Sequence, residues 1–273
     1  MAGGEPLSGP APSHLHPPRL QASAALFLDF DGTLVALAPR PQDVQVAPWV
    51  VPTLARLQLG LSGALAVVSG RALDQLDHYL QPLVCWAAGA HGAQLRGPGG
   101  EAAGVPLLPP TAVLHSAQAL VAVHTGLLLE HKPGGLALHY RLRPELAALC
   151  LSRLQAAMAA CQALAGGWEL MQGHCVLEVK QQAVSKGAAV RSLLAAPVFA
   201  GRTPVFVGDD TTDEHGIAAV QAVGGYGVRV GPGASQAQFR LDGIQAVEQW
   251  LVASAAALPD AGPRPTPGVQ GHE

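Results

Sequence analysis

Four short runs in this chain are apolar on both faces: Ala24 to Phe30 (AALFLDF), Ala64 to Ser69 (ALAVVS), Val84 to Ala88 (VCWAA) and Pro204 to Gly208 (PVFVG). A strand that is apolar without alternation has to be covered on both sides, as buried parallel strands are. Helical stretches separate the runs, at Trp49 to Gln58, Ala72 to Leu80, Lys186 to Leu194 and Thr212 to Val223. Strands alternating with helices predict an α/β fold on a doubly wound, mainly parallel, Rossmann-like sheet. Residues 136–141 (LALHYR) and 175–180 (CVLEVK) instead alternate apolar with polar, as half-buried antiparallel strands do, and a long helical stretch from Pro144 to Ala165 lies between them. The expected organisation is a core of residues 21–105 and 182–258 with an inserted α+β module at 106–181. The Pro- and Gly-rich ends, 1–20 and 259–273, are expected to be disordered tails.

Composition removes several classes of function. The 273 residues are 49% hydrophobic and 13% charged with a formal net charge of -3, so the chain is globular and lacks the basic face that a nucleic-acid partner demands. No apolar stretch reaches the roughly 18 residues of a membrane helix. The N-terminus has neither the basic start nor the apolar segment of a signal peptide, so a cytoplasmic protein without membrane attachment is expected. Cys85, Cys150, Cys161 and Cys175 form no C-x-x-C pair and read as free thiols rather than a disulfide framework or zinc site. The eleven histidines form no H-E-x-x-H pair. Nothing in the sequence calls for an obligate protein partner.

The chemistry concentrates at strand ends. In Leu28-Asp29-Phe30-Asp31-Gly32-Thr33 two carboxylates at i and i+2 follow an apolar strand and precede a Gly turn. On extended backbone such residues point the same way. The carboxyl edge of an open α/β sheet is where ligands bind. Two clustered carboxylates need a cation or a shared proton, and a hard ion such as Mg²⁺ suits oxygen donors; a plain Asp-Gly hairpin turn is the alternative. Gly208-Asp209-Asp210-Thr211-Thr212-Asp213-Glu214 follows a second apolar strand with four acids in six residues. One metal shared by both acidic ends explains this best, although a helix N-terminus would absorb some of the charge. Ser69-Gly70-Arg71 ends a third strand and offers a hydroxyl and backbone N–H groups to phosphate, with an ordinary helix cap as the alternative. Lys186, in Ser185-Lys186-Gly187, opens a helix where its charge opposes the dipole, which asks for an anionic partner. These parts suit phosphoryl transfer, with Asp29 attacking phosphorus, Asp31 protonating the leaving oxygen and then activating water, and Lys186 and Ser69 holding the developing charge.

The ordered set D-x-D-G-T (29–33), S-G-R (69–71), S-K-G (185–187) and G-D-D-x-T-D-E (208–214) resembles the haloacid dehalogenase-like phosphatases, and the last motif narrows the resemblance to trehalose-6-phosphate phosphatases. Gly89 to Ala93, Glu130-His131-Lys132, His139-Tyr140-Arg141, Leu177 to Lys180 and Gly231 to Gln236 are also similar to that group, over roughly residues 25–245. The resemblance implies that Asp29 is the phosphorylated nucleophile and Asp31 the general acid/base. It also implies Mg²⁺ held by Asp29, the backbone carbonyl of Asp31 and Asp209, with Asp210 and Asp213 behind them. It makes the inserted module a cap, and it assigns substrate contacts to Thr33, Gly70, Arg71, His91, Glu130, Lys132, Arg141 and Glu178. The expected partner is a small sugar phosphate, and the chain would act without a preceding glycosyltransferase domain. Two stretches depart from the group's usual pattern, His215-Gly216-Ile217 and Val179-Lys180-Gln181. Other readings are the same chemistry on sucrose phosphate or mannosyl-phosphoglycerate, or a catalytically silent sugar-phosphate sensor.

Overall fold

A computed structural model describes residues 15–38, 40–100, 102–103, 108–132, 134–163, 167–173 and 175–259. In chain order the elements are β1 (Ala24–Leu28), α1 (Val50–Gly60), β2 (Leu65–Val68), α2 (Leu73–Leu80), β3 (Trp86–Gly89), β4 (Gln94–Arg96), β5 (Ala102–Ala103) and α3 (Thr111–Val123). Then follow β6 (Leu128–Lys132), β7 (Gly135–His139), α4 (Ala147–Ala160), β8 (Trp168–Gly173), β9 (Val176–Gln181), α5 (Lys186–Leu194), β10 (Thr203–Gly208), α6 (Asp213–Gln221), β11 (Tyr226–Val230), β12 (Phe239–Leu241) and α7 (Ile244–Ala257).

An eight-stranded sheet runs in the order β12-β11-β10-β1-β2-β3-β4-β5. The first six strands of that order are mutually parallel, and β4 and β5 add an antiparallel edge. Every residue of β1 and β2 is buried, which is why neither run shows alternation in the sequence. From β1 the chain builds outward through β2 and β3 on one side and later through β10, β11 and β12 on the other. The strand order therefore reverses between β1 and β10, and a crevice opens at their carboxyl ends. Leu28 pairs with both Val67 and Val207, so these three strand ends stop nearly level. Phe27 stacks on Phe199 at 5.2 Å beneath them.

A separate four-stranded antiparallel sheet, β6-β7-β9-β8, packs one face on α3 and α4 around its own core, which includes Leu136, Leu138, Leu177, Val179, Leu154 and Met158. Alternation along the strands turns the other residues to the opposite face. The registers align these as two rows, Glu130, Ala137, Glu178 and Met171, and Lys132, Gly135, Lys180 and Glu169.

Two expectations differ from the structure. The helix expected over 144–165 is a 3₁₀ turn at Pro144–Leu146 followed by α4, which ends where Gln162 takes φ +50. Residues 15–20, expected in a disordered tail, are anchored instead. Arg240 N–H donates to the Leu15 carbonyl (3.0 Å), Trp250 Nε1–H to the Pro18 carbonyl (2.9 Å) and Leu20 N–H to Ser254 Oγ (3.2 Å). Leu20 is itself buried, so apolar burial outweighs the prolines before it. Residues 1–14 and 260–273 lie outside the described residues. The departure at His215-Gly216-Ile217 has a packing account. Gly216 lies against the Phe206 ring of β10, which fills the space a larger residue would need. No described helix is long and apolar enough to cross a membrane.

Candidate active site

Asp29 follows β1 and is nearly fully buried, its N–H donating to the Val207 carbonyl of β10 (2.9 Å). Asp209 follows β10. Gly32, at φ +83, lets the loop after β1 fold against the Asp209 carboxylate, and a side chain there would collide with it. Asp29, Asp209 and Asp213 each place a carboxylate oxygen within 4.8 Å of the others. The first residue of α5, Lys186, enters this cluster. Ser185 caps the helix by accepting from Ala188 N–H (3.1 Å), and Lys186 Nζ donates to Asp29 Oδ1 and Asp213 Oδ1, both at 2.6 Å. The charge that opposes the α5 dipole thus finds two buried anions.

Burial pushes the Asp29 and Asp213 carboxyls upward, while the Lys186 ammonium that both contact pulls them back down. Burial also raises Asp209, and the negative charges of Asp213 and Asp210 add to it. For Lys186 the order reverses. Burial alone would lower it, but Asp29 and Asp213 outweigh burial and hold the ammonium charged.

Part of the second acidic motif is satisfied by the helix it precedes. Asp213 Oδ2 accepts from the N–H groups of Asp209 and Asp210 (3.0 Å each), and Asp210 Oδ1 accepts from Asp213 N–H (3.0 Å) and the Thr212 hydroxyl (2.8 Å). This reciprocal pairing closes the turn that leads into α6, so local backbone and hydroxyl donors account for part of the charge of Asp210 and Asp213. Both oxygens of Asp213 are committed to Lys186 and backbone. Asp29 and Asp209 are left as the carboxylates with which a hard cation would be compensated, three acids facing a single ammonium.

Asp31 lies beside this cluster at the cleft wall. Arg71 grips it with two hydrogen bonds of 2.6 Å, Nε–H to Oδ2 and Nη2–H to Oδ1. The guanidinium is itself stacked over Phe30 (5.6 Å) and Tyr79 (5.0 Å). Ser69 is fully buried, and its Oγ accepts from Arg71 N–H (3.1 Å). The loop after β3 is stitched to this turn, Ala90 N–H to the Arg71 carbonyl (2.7 Å) and His91 N–H to the Ser69 carbonyl (2.9 Å). Ala90 and His91 take left-handed φ values of +49 and +56, a strained pair that sets the His91 ring against Gly70. Enclosure by the cleft, then Lys186 and Lys180, push the His91 imidazole down to about 4, so it is neutral at pH 7.

A cleft of about 670 Å³ joins the two sheets. The carboxyl ends of the large sheet line its floor with Asp29, Asp31, Ser69, Gly70, Arg71, His91, Lys186 and Asp210. The open face of the small sheet lines its roof with Glu130, Lys132, Gly135, Glu178 and Lys180. Lys132 Nζ donates to Glu178 (2.6 Å) and lies 4.0 Å from Glu130, whose other partner is His139 Nε2 (2.8 Å). Two of the residues that the resemblance assigned to substrate are elsewhere. Thr33 is fully buried, its hydroxyl donating to Asp209 Oδ1 (3.3 Å), and Arg141 is exposed beyond β7 and does not line the cleft. Lys180 and His139 lie in stretches noted in the sequence but were given no role there, although the period-2 alternation of CVLEVK already puts Lys180 on the face of Glu178.

The sequence model of the trehalose-phosphatase family matches residues 27–245, a span holding all four motifs. The chain belongs to the trehalose-phosphatase family. It is 39% identical over 246 residues to the trehalose-6-phosphate phosphatase of Escherichia coli (strain K12), covering 88% of this chain and 90% of that one. It is 37% identical over 240 residues to a probable trehalose-phosphate phosphatase of Sinorhizobium fredii, covering 86% and 88%. Among solved structures, the C-terminal domain of the C. albicans trehalose-6-phosphate phosphatase superposes with a TM-score of 0.65 at 20% identity, over 89% of this chain and 99% of that one. That likeness establishes the trehalose-phosphatase fold, a parallel α/β sheet with a second antiparallel unit.

Proposed function

We propose that this chain hydrolyses trehalose 6-phosphate to trehalose and phosphate. The observation that carries the proposal is the single cleft that joins the buried Asp29–Lys186–Asp213 cluster to the charged lattice of Glu130, Lys132 and Glu178. A floor suited to a phosphoryl group and a roof suited to hydroxyls fit a phosphorylated disaccharide. The naming of the E. coli and Sinorhizobium relatives supports that substrate over other sugar phosphates.

In this reading Asp29 attacks phosphorus, and the bond to the sugar oxygen breaks as Asp31 gives that oxygen a proton. Water then attacks the aspartyl-phosphate, returning a proton to Asp31 and releasing phosphate and free Asp29. Lys186 fixes the Asp29 rotamer through Oδ1 and offsets charge on the transferring group. Ser69 and Gly70, at the end of β2, receive phosphate oxygens. The Arg71 fork holds Asp31 with one hydrogen bond to each oxygen and so orients the carboxyl, leaving a lone pair on each oxygen for proton transfer. Asp29 and Asp209, with the Asp31 carbonyl, would hold Mg²⁺, and Thr33 and Asp213 would support them. When bound, that ion would neutralise the substrate's phosphate charge. Glu130, Lys132 and Glu178 would pair the sugar hydroxyls, and His139 would orient Glu130. The four free cysteines fit a reducing compartment, which supports the cytoplasm as its location.

Phosphate release with magnesium, across trehalose 6-phosphate, sucrose 6-phosphate and glucose 6-phosphate, tests the reading. We expect a strong preference for trehalose 6-phosphate that a chelator abolishes. Preference for another sugar would discard the substrate and keep the chemistry, and binding without turnover would favour a sensor. The roof has its own test. Glu178→Gln should raise KM for trehalose 6-phosphate about tenfold or more while leaving kcat within a few-fold, since it removes a charge-assisted pair to the sugar. Its hydrolysis of p-nitrophenyl phosphate, which lacks the sugar, should stay unchanged. Equal losses on both substrates would place Glu178 in the chemistry or the scaffold instead.

A further inference from the structure

We infer that Lys180, on the roof of the cleft, is a phosphate-directed cation that reaches the substrate's anionic group from the side opposite Lys186. This rests on the phosphatase reading and extends it to a residue with no role so far.

Four Lys and Arg side chains line the cleft: Arg71, Lys132, Lys180 and Lys186. Three are committed at short distance. Arg71 holds Asp31 with two bonds of 2.6 Å, Lys186 holds Asp29 and Asp213 at 2.6 Å each, and Lys132 holds Glu178 at 2.6 Å. Lys180 is different. Its ion pair among the described residues is a looser one, 3.4 Å to Glu169, with both side chains about a third exposed. Such a pair is worth little and is easily exchanged for a stronger anion.

Position points the same way. Lys180 shares a face of β9 with Glu178, and its neighbour on β7 is Gly135, which has no side chain to stand between the ammonium and the cleft. Glu169, on β8 at the other side of Lys180, is not among the residues that line the cleft. Exchange of Glu169 for phosphate would therefore swing the ammonium inward. The floor beneath is rich in acids, so an incoming dianion meets Asp29, Asp31 and Asp210, and the floor's own cations, Lys186 and Arg71, are already paired with acids. A cation supplied from the roof offsets that repulsion and ties phosphate binding to contact between the two sheets.

The experiment titrates Lys180→Gln, Lys180→Arg and the wild type, with magnesium present, by calorimetry with inorganic phosphate and separately with trehalose. A phosphate-directed Lys180 predicts that Lys180→Gln weakens phosphate binding about tenfold and leaves trehalose binding within about twofold. Lys180→Arg should keep most of the phosphate affinity. Unchanged phosphate binding in Lys180→Gln would overturn the proposal, and so would an equal loss for phosphate and trehalose, which a general disturbance of the roof would cause. Should the wild type bind phosphate but no trehalose, the substrate assignment fails while the phosphate arm still decides the role of Lys180.

Discussion

Asp29→Asn is expected to lose turnover by ~10⁴-fold or more, since it removes the atom that forms the covalent bond. It should keep its far-UV circular dichroism and, with divalent cations chelated, melt close to the wild type. The second half of that expectation comes from the cluster. Asp29, Asp209 and Asp213 crowd their oxygens within 4.8 Å, with Lys186 between two of them. Asparagine keeps the shape, still accepts from Lys186 and removes one of three repelling charges. The lost ion pair and the relieved repulsion oppose each other, so the net change in stability should lie within about 1 kcal/mol. Turnover within about tenfold of wild type would remove Asp29 as nucleophile. A loss of stability of about 3–5 kcal/mol, the usual cost of breaking a buried pair, would make the Asp29–Lys186 contact a structural strut.

That pairing shows what the sequence could and could not reveal. The strands at the centre of the sheet were legible because burial on both faces leaves an unbroken apolar run, as in β1, β2 and β10. The small sheet was half legible. Strands β7 and β9 alternate and were marked as strands, whereas β6 and β8, at the edges of the sheet, were not. Helix α3 was missed for a different reason. Its buried stripe of Val113, Ala117 and Leu120 has helical spacing, yet apolar residues such as Val123 also occupy the solvent side and blur the period.

The acids of the site were legible because each stands at the end of a strand, whereas their partnerships were not. Arg71 meets Asp31 across 40 positions, Lys186 meets Asp29 across 157, and Thr33 meets Asp209 across 176. The motif S-G-R names Arg71 but does not say that its guanidinium faces a carboxylate rather than a phosphate. The aromatic rings of Phe30 and Tyr79, against which the guanidinium stacks in the fold, support that direction. Lys180 illustrates the same limit. Its face follows from alternation, but the weakness of its pairing with Glu169 depends on the register of β8.

The largest effect on stability should come from Lys186. Lys186→Met keeps the length and apolar stem of the side chain, which is 3% exposed, and deletes the ammonium that both Asp29 and Asp213 contact at 2.6 Å. Two buried carboxylates are then left facing Asp209 without a counter-charge, at a cost of about 3–5 kcal/mol in chelated protein, together with loss of turnover. Lys186→Arg keeps the charge but has to fit a planar fork where a single nitrogen bridged two acids, so activity should still fall steeply. The charge account is separable from mere packing by a double-mutant cycle with Asp213→Asn. If electrostatics dominate, Asp213→Asn is destabilising alone, because its one remaining oxygen can serve either Lys186 or the Asp209 and Asp210 amides but not both, and the charge opposite Lys186 is lost. In the Lys186→Met background the same substitution should cost less or stabilise, because it removes an unpaired charge. A coupling of at least about 1 kcal/mol by denaturant unfolding is expected between the two positions. Additive effects would mean that Lys186 fills space and that the anions it touches are relieved by other means.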